Sequence, residues 1–287
     1  MAVIQKDEQK TQPKPFLKWV GGKGRLIAQL EALYPDDYGV FYEPFVGGGA
    51  VFFSLNPPKA CINDTNDVLI NAYINIRDNL KQLVKELSTI EVIFHELPTM
   101  ELKSEFYYEK RTIFNNLTSQ DFEKTVLLIF LNKTCFNGIY RENSKGGFNV
   151  PFGKHDKPTI CDEKNLSSIS KALSNTTITS QSFELAVKNA KKGDFIYFDP
   201  PYHPLNTTSS FTSYHASGFN ADDQEKLRDV FTVLSKRGCK VMLSNSDTEL
   251  IRSLYSDYKI HTIYAGRSIN SVGHKRGKIK ELVITNY

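Results

Sequence analysis

The stretch VFYEPFVGGGAVFFSL, residues 40–55, decides the fold class. A short apolar run ends near Pro44, three glycines follow, and a second apolar run from about Ala50 has the pattern of a helix. The next stretch, ACIND (residues 60–64), is short and apolar and predicts a second strand. A strand, a glycine turn, a helix and a strand open a βαβ unit, which predicts an α/β fold.

The second half of the chain continues this alternation. Five short stretches rich in β-branched or aromatic residues predict strands: NTTITSQSF (175–183), GDFIYFDPPY (193–202), CKVMLSNSD (239–247), YKIHTIYAG (258–266) and KIKELVITNY (278–287). A helix is predicted between the second and third of them, with Asn220 or Asp222 as its cap and Gly238 at its end. The last two strands are predicted to form a hairpin at one edge of the sheet.

Between Asn66 and about Cys161 the pattern changes to helices and loops. An apolar stripe at intervals of three and four predicts one long amphipathic helix, and a second helix is predicted to begin near Ser119 or Asp121. The stripe consists of Leu69, Tyr73, Ile76, Leu80, Leu83 and Leu87. We therefore expect a discontinuous α/β domain, residues 1–66 and 162–287, with a mostly helical insertion, residues 67–161.

The insertion ends in the stretch LNKTCFNGIYRENSKGGFNVPFGKHDKP, residues 131–158, in which basic and aromatic residues alternate. It is either an ordinary β-hairpin with an irregular loop or a recognition element. Alternating basic and aromatic side chains offer phosphate contacts, base-edge contacts and stacking wedges together.

The composition argues against several classes of protein, including membrane-spanning and disulfide-rich proteins. The 287 residues are 40% hydrophobic, and the longest apolar run, residues 126–131, falls far short of the roughly 20 residues that cross a bilayer. The first fifteen residues lack the apolar region of a signal peptide. No C-x-x-C pair occurs, so neither a zinc site nor a disulfide framework is predicted for Cys61, Cys135, Cys161 and Cys239. We expect a soluble cytoplasmic protein, with a monomer favoured.

Charge is informative mainly through its distribution. The net charge of +4 is weak support for a polyanionic partner. Residues 267–280, however, contain five basic residues and no acidic one, with Lys275 and Arg276 adjacent. This segment is either a solvated loop between strands or a loop that contacts phosphates.

The tetrapeptide DPPY, residues 199–202, ends a strongly apolar predicted strand. A proline pair stops a buried strand well, because proline has no backbone N–H. Alternatively, Asp199 provides an acceptor, Pro200 a rigid carbonyl and Tyr202 a stacking ring at the rim of the sheet, where open α/β folds bind ligands.

Other motifs argue against a dinucleotide-binding or phosphate-binding loop, and two residues, Asp64 and Trp19, each have two interpretations. The glycine turn lacks the third glycine of G-x-G-x-x-G, and GGKG at residues 21–24 does not fit a phosphate-binding loop. Asp64 follows the second strand and is either a turn cap on the next helix or an acceptor for a ribose diol. Trp19, the single tryptophan, is either a packing residue or a stacking face for adenine or a sulfonium cation.

Taken together, the motifs occur in the order FLKWVGGK (16–23), EPFVGGG (43–49), an inserted helical region and DPPY, and this order resembles the DNA adenine-N6 methyltransferase (Dam) family. The resemblance runs from Phe16 to nearly the end of the chain and includes LSNSDT (243–248) and RSINSVGHKRGK (267–278). It implies a Rossmann-like S-adenosylmethionine-dependent methyltransferase sheet with an inserted DNA-recognition domain. It also implies S-adenosylmethionine as methyl donor without a metal, and double-stranded DNA, commonly at GATC, as substrate.

The resemblance assigns roles to residues that match the motifs. Asp199, Pro200 and Tyr202 would be catalytic. The donor pocket would consist of Trp19, Lys23, Phe45, Gly47, Gly49, Asp64, Phe183 and Asp199. The DNA contacts would come from Lys18, Phe136, Asn137, Ile139, Arg141, Pro151, His155, Lys275 and Arg276. Ser182 stands where many members carry Asp, and His155 stands where some relatives carry a tyrosine.

The chemistry of DPPY follows from the weak nucleophilicity of the adenine amine. If Asp199 and the Pro200 carbonyl accept its two hydrogens, its lone pair can point at the donor methyl, and the base must leave the helix to reach them. Two alternatives stand beside this reading: methylation of an RNA base or a protein amide, and a DNA-binding module without catalysis. The sequence leaves open whether such an enzyme serves restriction–modification or housekeeping methylation.

Overall fold

The computed structural model describes residues 12–205, 219–266 and 278–287. Its centre is a seven-stranded sheet in the order β3-β2-β1-β4-β5-β7-β6, and each predicted strand is present. The strands are β1 Phe41–Glu43, β2 Ala60–Asn63, β3 Thr176–Thr179, β4 Phe195–Phe198, β5 Lys240–Ser246, β6 Lys259–Gly266 and β7 Lys278–Thr285.

The strand order places two loops side by side at one edge of the sheet. Strands β1 to β5 pair in parallel, and the chain proceeds from β1 outward to β2 and β3 on one side and from β4 to β5 on the other. The loops that follow β1 and β4 therefore meet at the topological switch point, where ligands bind in open α/β sheets. Strand β7 runs antiparallel to both β5 and β6, which confirms the predicted terminal hairpin.

The helices cover the sheet and form the insertion. The described residues contain ten α-helices: α1 Ile27–Glu31, α2 Ala50–Leu55, α3 Asp67–Asp78, α4 Leu80–Glu96, α5 Met100–Asn116, α6 Phe122–Thr134, α7 Glu163–Leu173, α8 Phe183–Ala186, α9 Ala221–Lys236 and α10 Glu249–Leu254. Short 3-10 turns lie at Lys23–Arg25 and Phe136–Gly138. Helix α9 begins as predicted, because Asn220 and Asp223 form a reciprocal capping box.

The prediction of one long helix through residues 69–87 is wrong. The stripe is divided between α3 and α4, because Asn79 leaves helical geometry with φ of −122°. Its side-chain amide donates to Asn75 Oδ1 at 2.8 Å, a local hydrogen bond of the kind that competes with helix continuation. Both halves still bury their apolar face, since five of the six stripe residues are buried and Leu80 is half-buried.

The segment after α6 folds back on itself as an irregular hairpin, which we call the 135–152 hairpin. Isolated antiparallel bridges join Cys135 to Phe152 and Glu142 to Phe148, with the 3-10 turn on the outgoing arm. Asn137 in that turn has a left-handed backbone with φ of 57°. The predicted hairpin is thus present, with a ladder reduced to two bridges.

The core extends on both faces of the sheet. Strands β1 and β4 are buried at every position, as parallel strands covered by helices on both faces require. One apolar cluster joins residues of β1, β2 and β4 to α3, α4 and α6, so the helical insertion and the sheet share buried side chains. Among the described residues, no helix has both the length and the apolar character to cross a membrane.

Candidate active site

Asp199 lies directly after β4 and forms an ion pair with Lys23. Lys23 Nζ lies 2.6 Å from Asp199 Oδ2, and both side chains are largely buried. The same ammonium donates to Gly21 O at 2.8 Å and lies 4.8 Å from the centroid of the Tyr202 ring. Lys23 therefore contacts both ends of the DPPY motif, although Asp199 lies 176 residues after it in the chain.

The second carboxylate oxygen of Asp199 is available to a ligand. Oδ1 is buried and has no hydrogen-bond partner among residues 12–205, 219–266 and 278–287. Burial raises the pKa of Asp199 above the ordinary aspartate value, and the Lys23 ammonium opposes this rise. A buried acceptor without a partner is costly unless a ligand satisfies it, so Oδ1 is suited to accept a hydrogen from a substrate.

A second buried carboxyl group, Glu43 at the end of β1, faces this ion pair. Burial and the neighbouring charge of Asp199 raise the pKa of Glu43 well above its ordinary value. Its Oε2 atom is also without a partner in the described part of the chain. Sequence reasoning missed Glu43, although it is the first residue of the quoted EPFVGGG motif.

Tyr202 and its neighbours are held by elements on the other side of β4. Tyr202 Oη donates to Glu281 Oε2 on β7 at 2.9 Å. Two buried amides hold the backbone around the ring: Gln224 Nε2 on α9 donates to Pro201 O at 3.0 Å, and Asn245 Oδ1 on β5 accepts from His203 N at 3.1 Å.

The two amides also bond to each other, since Asn245 Nδ2 donates to Gln224 Oε1 at 3.0 Å. We call this pair the amide relay. It supplies partners for the backbone on both sides of Tyr202, next to two prolines that have no N–H to donate. The LSNSDT motif contained Asn245, but its role was not predicted.

The glycine turn after β1 is shaped by its neighbours. Gly47 and Gly49 have positive φ angles of 46° and 73°. A Cβ atom on Gly47 would lie 2.9 Å from Trp19 Cδ1, and one on Gly49 would lie 2.7 Å from Tyr73 Oη. Both positions therefore require glycine for backbone conformation and for packing.

The carboxylate of Asp64 links the glycine turn to the start of α3. Its Oδ2 accepts from Gly47 N at 3.0 Å and its Oδ1 accepts from Asn66 N at 3.0 Å. Burial raises its pKa, and these backbone N–H groups oppose the rise. The cap of α3 is Asn66, whose side chain accepts from Leu69 N. An ionised carboxylate offers about four acceptor sites, more than the backbone N–H groups of Gly47, Thr65 and Asn66 use.

An aromatic cluster lines the next part of the edge. Phe45 and Phe183 face each other with ring centroids 5.4 Å apart, and Phe219 packs edge-on against Phe45 at 5.9 Å. Phe183 begins α8, with three residues between it and the end of β3, and Phe45 follows β1. The amide of Asn63 fixes these loops, because it bonds Pro44 O, Gln181 O and Gln181 N.

The 135–152 hairpin and Lys18 form a neighbouring exposed surface. Phe136 is 52% exposed although it is aromatic, and Lys18, Asn137, Pro151 and His155 are exposed beside it. Phe136 N donates to Pro151 O at 2.9 Å, which joins the two arms. Asn132 binds Lys18 N and O and also donates to Gly138 O, so Lys18 lies next to the outgoing arm of the hairpin.

The remaining predicted DNA contacts differ in their exposure. Arg141 is exposed, and its Nε donates to Asn149 Oδ1 across the hairpin at 2.7 Å. Ile139 is half-buried and packs against the core. Lys275 and Arg276 lie outside the described residues.

Comparison with known families decides the class of reaction. The family model for the D12 class of N6 adenine-specific DNA methyltransferases matches residues 19–269, most of the chain. The chain belongs to this family. It is therefore an adenine-specific DNA methyltransferase, and the alternatives of an RNA or protein acceptor and of a binding module without catalysis are set aside.

Three relatives of the methyltransferase each match at least 94% of its length. It is 44% identical to the type II methyltransferase M1.LlaDCHI of Lactococcus lactis subsp. cremoris, covering 100% of this chain and 99% of the relative. It is 43% identical to the type II methyltransferase M.MjaIII of Methanocaldococcus jannaschii, covering 96% and 99%. It is 35% identical to the DNA adenine methylase of Escherichia coli K12, covering 94% of each chain.

The edge of the sheet fits the donor that methyltransferases use, S-adenosylmethionine. The donor combines an adenine, a ribose diol and a cationic sulfur. The rings of Phe45 and Phe183 suit contact with the adenine, and the Asp64 carboxylate suits hydrogen bonds from the ribose diol. No group of three or more metal-ligating side chains is found within the described ranges.

Proposed function

We propose that the enzyme methylates N6 of adenine in double-stranded DNA within GATC, on a base that has been extruded from the helix. The observation that carries this proposal is the buried Asp199 Oδ1, which has no partner among the residues that the structure describes and which lies beside the Lys23 ammonium over the Tyr202 ring. An acceptor and an aromatic ring in one buried position are what a flipped adenine requires.

Asp199 and Pro200 prepare the amine for reaction. The lone pair of the adenine amine is delocalised into the ring, so the nitrogen attacks poorly while it is planar. When the Asp199 carboxylate and the Pro200 carbonyl each accept one hydrogen, the nitrogen becomes pyramidal and its lone pair is directed out of the ring plane. S-adenosylmethionine would supply the electrophilic methyl group and leave as S-adenosylhomocysteine when its bond from sulfur to methyl breaks. The methylated nitrogen would then release one hydrogen as a proton, and no covalent bond to the protein is needed.

Tyr202 offers the extruded base a stacking surface. Stacking is worth about 1–3 kcal/mol per base, which offsets part of the cost of extrusion. The Lys23 ammonium lies over this ring and against Asp199, so it must move aside before the base enters. Once displaced, it is available to a carboxylate of the bound donor.

The donor pocket that we propose has its residues on both sides of the switch point. Asp64 accepts hydrogen bonds from the ribose, Phe183 and Phe45 contact the donor adenine, and the glycine turn with Trp19 lies under the donor. The rings of Phe45 and Phe183 are in contact at 5.4 Å, so the adenine lies against their edges or separates them.

We assign DNA recognition to the insertion, residues 67–161, and catalysis to residues 1–66 and 162–287. The exposed aromatic Phe136, with Asn137 and Arg141 near it, supports the first assignment, since exposed aromatic and basic groups on one surface suit base and phosphate contacts. Lys275 and Arg276 are proposed as phosphate contacts from their sequence alone.

We infer a role in restriction–modification in preference to housekeeping methylation, because the two relatives at 44% and 43% identity are both named type II methyltransferases. A monomer acting on cytoplasmic DNA remains our expectation.

Methyl transfer from labelled S-adenosylmethionine to duplexes that differ only in GATC or GTTC tests the proposal. We expect N6-methyladenine from GATC alone, and loss of transfer with retained DNA binding in Asp199→Asn. Labelling of both duplexes would overturn the GATC assignment, and undiminished turnover in Asp199→Asn would overturn the role of its carboxylate.

A further inference from the structure

Tyr140, on the 135–152 hairpin, lies between the hairpin and the proposed donor pocket. Its ring stacks on the indole of Trp19, with centroids 5.0 Å apart and an interplanar angle of 21°. It also contacts Phe148 on the opposite arm of the hairpin at 5.6 Å. Tyr140 is only 8% exposed, so its ring has little freedom to move independently of either neighbour.

The hydroxyl of Tyr140 connects to the loop after β2. It donates to Glu142, and the side chain of Asn66 lies close enough to oppose the rise in the Tyr140 pKa that burial causes. Asn66 N in turn donates to Asp64 Oδ1, and Asp64 Oδ2 accepts from Gly47 N. Asn66 is thus the single residue between Tyr140 of the hairpin and Asp64, the proposed acceptor for the ribose.

Trp19 provides a second set of contacts between Tyr140 and the glycine turn. The Trp19 ring lies against Gly47, where an added Cβ would come within 2.9 Å of Cδ1. The neighbouring Lys18 is held to the hairpin by Asn132, which bonds both its N and its O and also Gly138 O. The glycine turn, the N-terminal segment and the hairpin therefore contact one another through buried groups.

We propose that Tyr140 is a positioning residue that couples DNA recognition to donor binding, so that a duplex with the correct site tightens the binding of the donor. The inference rests on the proposed function, in which the hairpin reads DNA. A shift of the hairpin on its site moves the Tyr140 ring, and close packing transmits this to Trp19 and to Asn66. Because coupling of binding is reciprocal, the donor tightens the binding of the correct site by the same factor.

The test compares the affinity for S-adenosylhomocysteine, which cannot transfer methyl, with a GATC or a GTTC duplex present at saturation. Titration calorimetry on the full chain gives the ratio of the two dissociation constants. For the wild type we expect a ratio of roughly 5–150-fold. Tyr140→Leu removes the stack and the hydroxyl and is expected to bring the ratio close to one. Tyr140→Phe keeps the ring and is expected to retain most of it.

Trp19 provides a spectroscopic readout, because it is the only tryptophan of the chain. Its emission is expected to change when the GATC duplex is added without donor, and this change is expected to be lost in Tyr140→Leu. If thermal melting shows that Tyr140→Leu does not fold cooperatively, Tyr140→Met replaces it, since methionine keeps much of the volume.

The outcomes separate the coupling from the function on which it rests. A Tyr140→Leu protein that retains the wild-type ratio overturns the inference, and so does a wild-type enzyme that methylates GATC but shows a ratio of one. A wild-type protein that binds both duplexes equally and methylates neither would instead contradict the proposed function.

Discussion

At the scale of single residues, the Lys23–Asp199 pair sets the charge of the active site. An isolated carboxylate at this depth would be protonated readily, because burial disfavours its charged form. The ammonium 2.6 Å away opposes the rise in the Asp199 pKa that burial causes, and it also occupies space next to Tyr202. The pair therefore favours the ionised acceptor and occupies part of the space that the extruded base is proposed to enter.

The pH dependence of turnover is expected to report this balance. Asp199 must be ionised to accept hydrogens, so the rate falls as pH falls through its pKa, which burial raises above the usual value of about 3.9. Replacing Lys23 by Gln removes the opposing cation, raises that pKa further and moves the acidic limb to higher pH. The pH dependence of kcat/KM measures it, because this ratio reports the free enzyme, in which Lys23 is still paired with Asp199. An acidic limb that stays in place in Lys23→Gln contradicts the assigned role.

At the scale of elements, the carboxyl edge of the sheet is assembled from strands and helices far apart in the chain. The amide relay links α9, β5 and the DPPY loop, and Glu281 on β7 holds the Tyr202 ring. Because the two prolines donate no backbone hydrogen bonds, these outside groups determine where Asp199 and Tyr202 lie.

Breaking the amide relay is expected to slow the chemical step. In Gln224→Ala or Asn245→Ala the loop loses a fixed partner, and kcat falls by about 10–10²-fold, with the KM values for donor and DNA little changed. Steady-state kinetics with Glu225→Ala, an exposed neighbour on α9, as the control measures this. A rise in KM at constant kcat would mean that the relay serves binding and not positioning.

The hairpin is expected to carry sequence discrimination at Arg141. Asn149 holds the Arg141 guanidinium in place across the hairpin, as a bidentate base contact requires. Arg141→Ala is expected to reduce discrimination at one base pair by about 1–3 kcal/mol. Competition binding to duplexes with single substitutions gives the value. Lys145→Ala, at the exposed tip, serves as control; a uniform loss over all duplexes in Arg141→Ala would identify a phosphate contact instead.

Sequence patterns predicted the elements better than the contacts between them. The strands, the cap at Asn220 and the terminal hairpin follow from local periodicity and local hydrogen bonding, and all are present. The break at Asn79 was not predictable, because the apolar stripe continues through it and the deviation depends on a side-chain bond to Asn75.

The motifs predict several residues of the candidate site. These residues lie at the carboxyl edge of the sheet: Lys23, Asp64, Asp199 and Tyr202. The motifs could not reveal Glu43, Gln224, Asn245 or Tyr140 as members of that edge. Contacts with residues distant in the chain position each of these side chains, so the spacing of residues within a motif does not predict their role.

At the scale of the whole molecule, the proposed donor pocket joins the beginning of the chain to its middle. Trp19, Gly47 and Asp64 come from one side of the insertion, and Phe183 and Asp199 from the other. The shared apolar cluster connects the insertion to both. A ligand in this pocket contacts both halves of the discontinuous domain, so its binding opposes unfolding of the whole chain.

Donor-site occupancy is therefore expected to stabilise the entire fold. S-adenosylhomocysteine at a hundred times its dissociation constant adds about 2.7 kcal/mol to the free energy of unfolding. Asp64→Ala is expected to lose most of this gain at the same concentration. Thermal melts with and without the ligand show it, and Asp67→Asn, an exposed carboxyl group three residues on, is the control. An equal shift in both variants would exclude Asp64 from the pocket.

The pairing of β2 with β3 also affects the stage of folding at which the proposed donor pocket can form. Asn63 pairs with Thr179, so the chain must fold or bypass the intervening insertion before the two strands meet. Closing so long a segment costs entropy before any contact repays it, which makes such pairings slow. During synthesis, the first 64 residues carry the glycine turn and its aspartate but lack Phe183 and Asp199. The nascent chain is thus unable to assemble a complete donor pocket until β4 and the DPPY loop have left the ribosome.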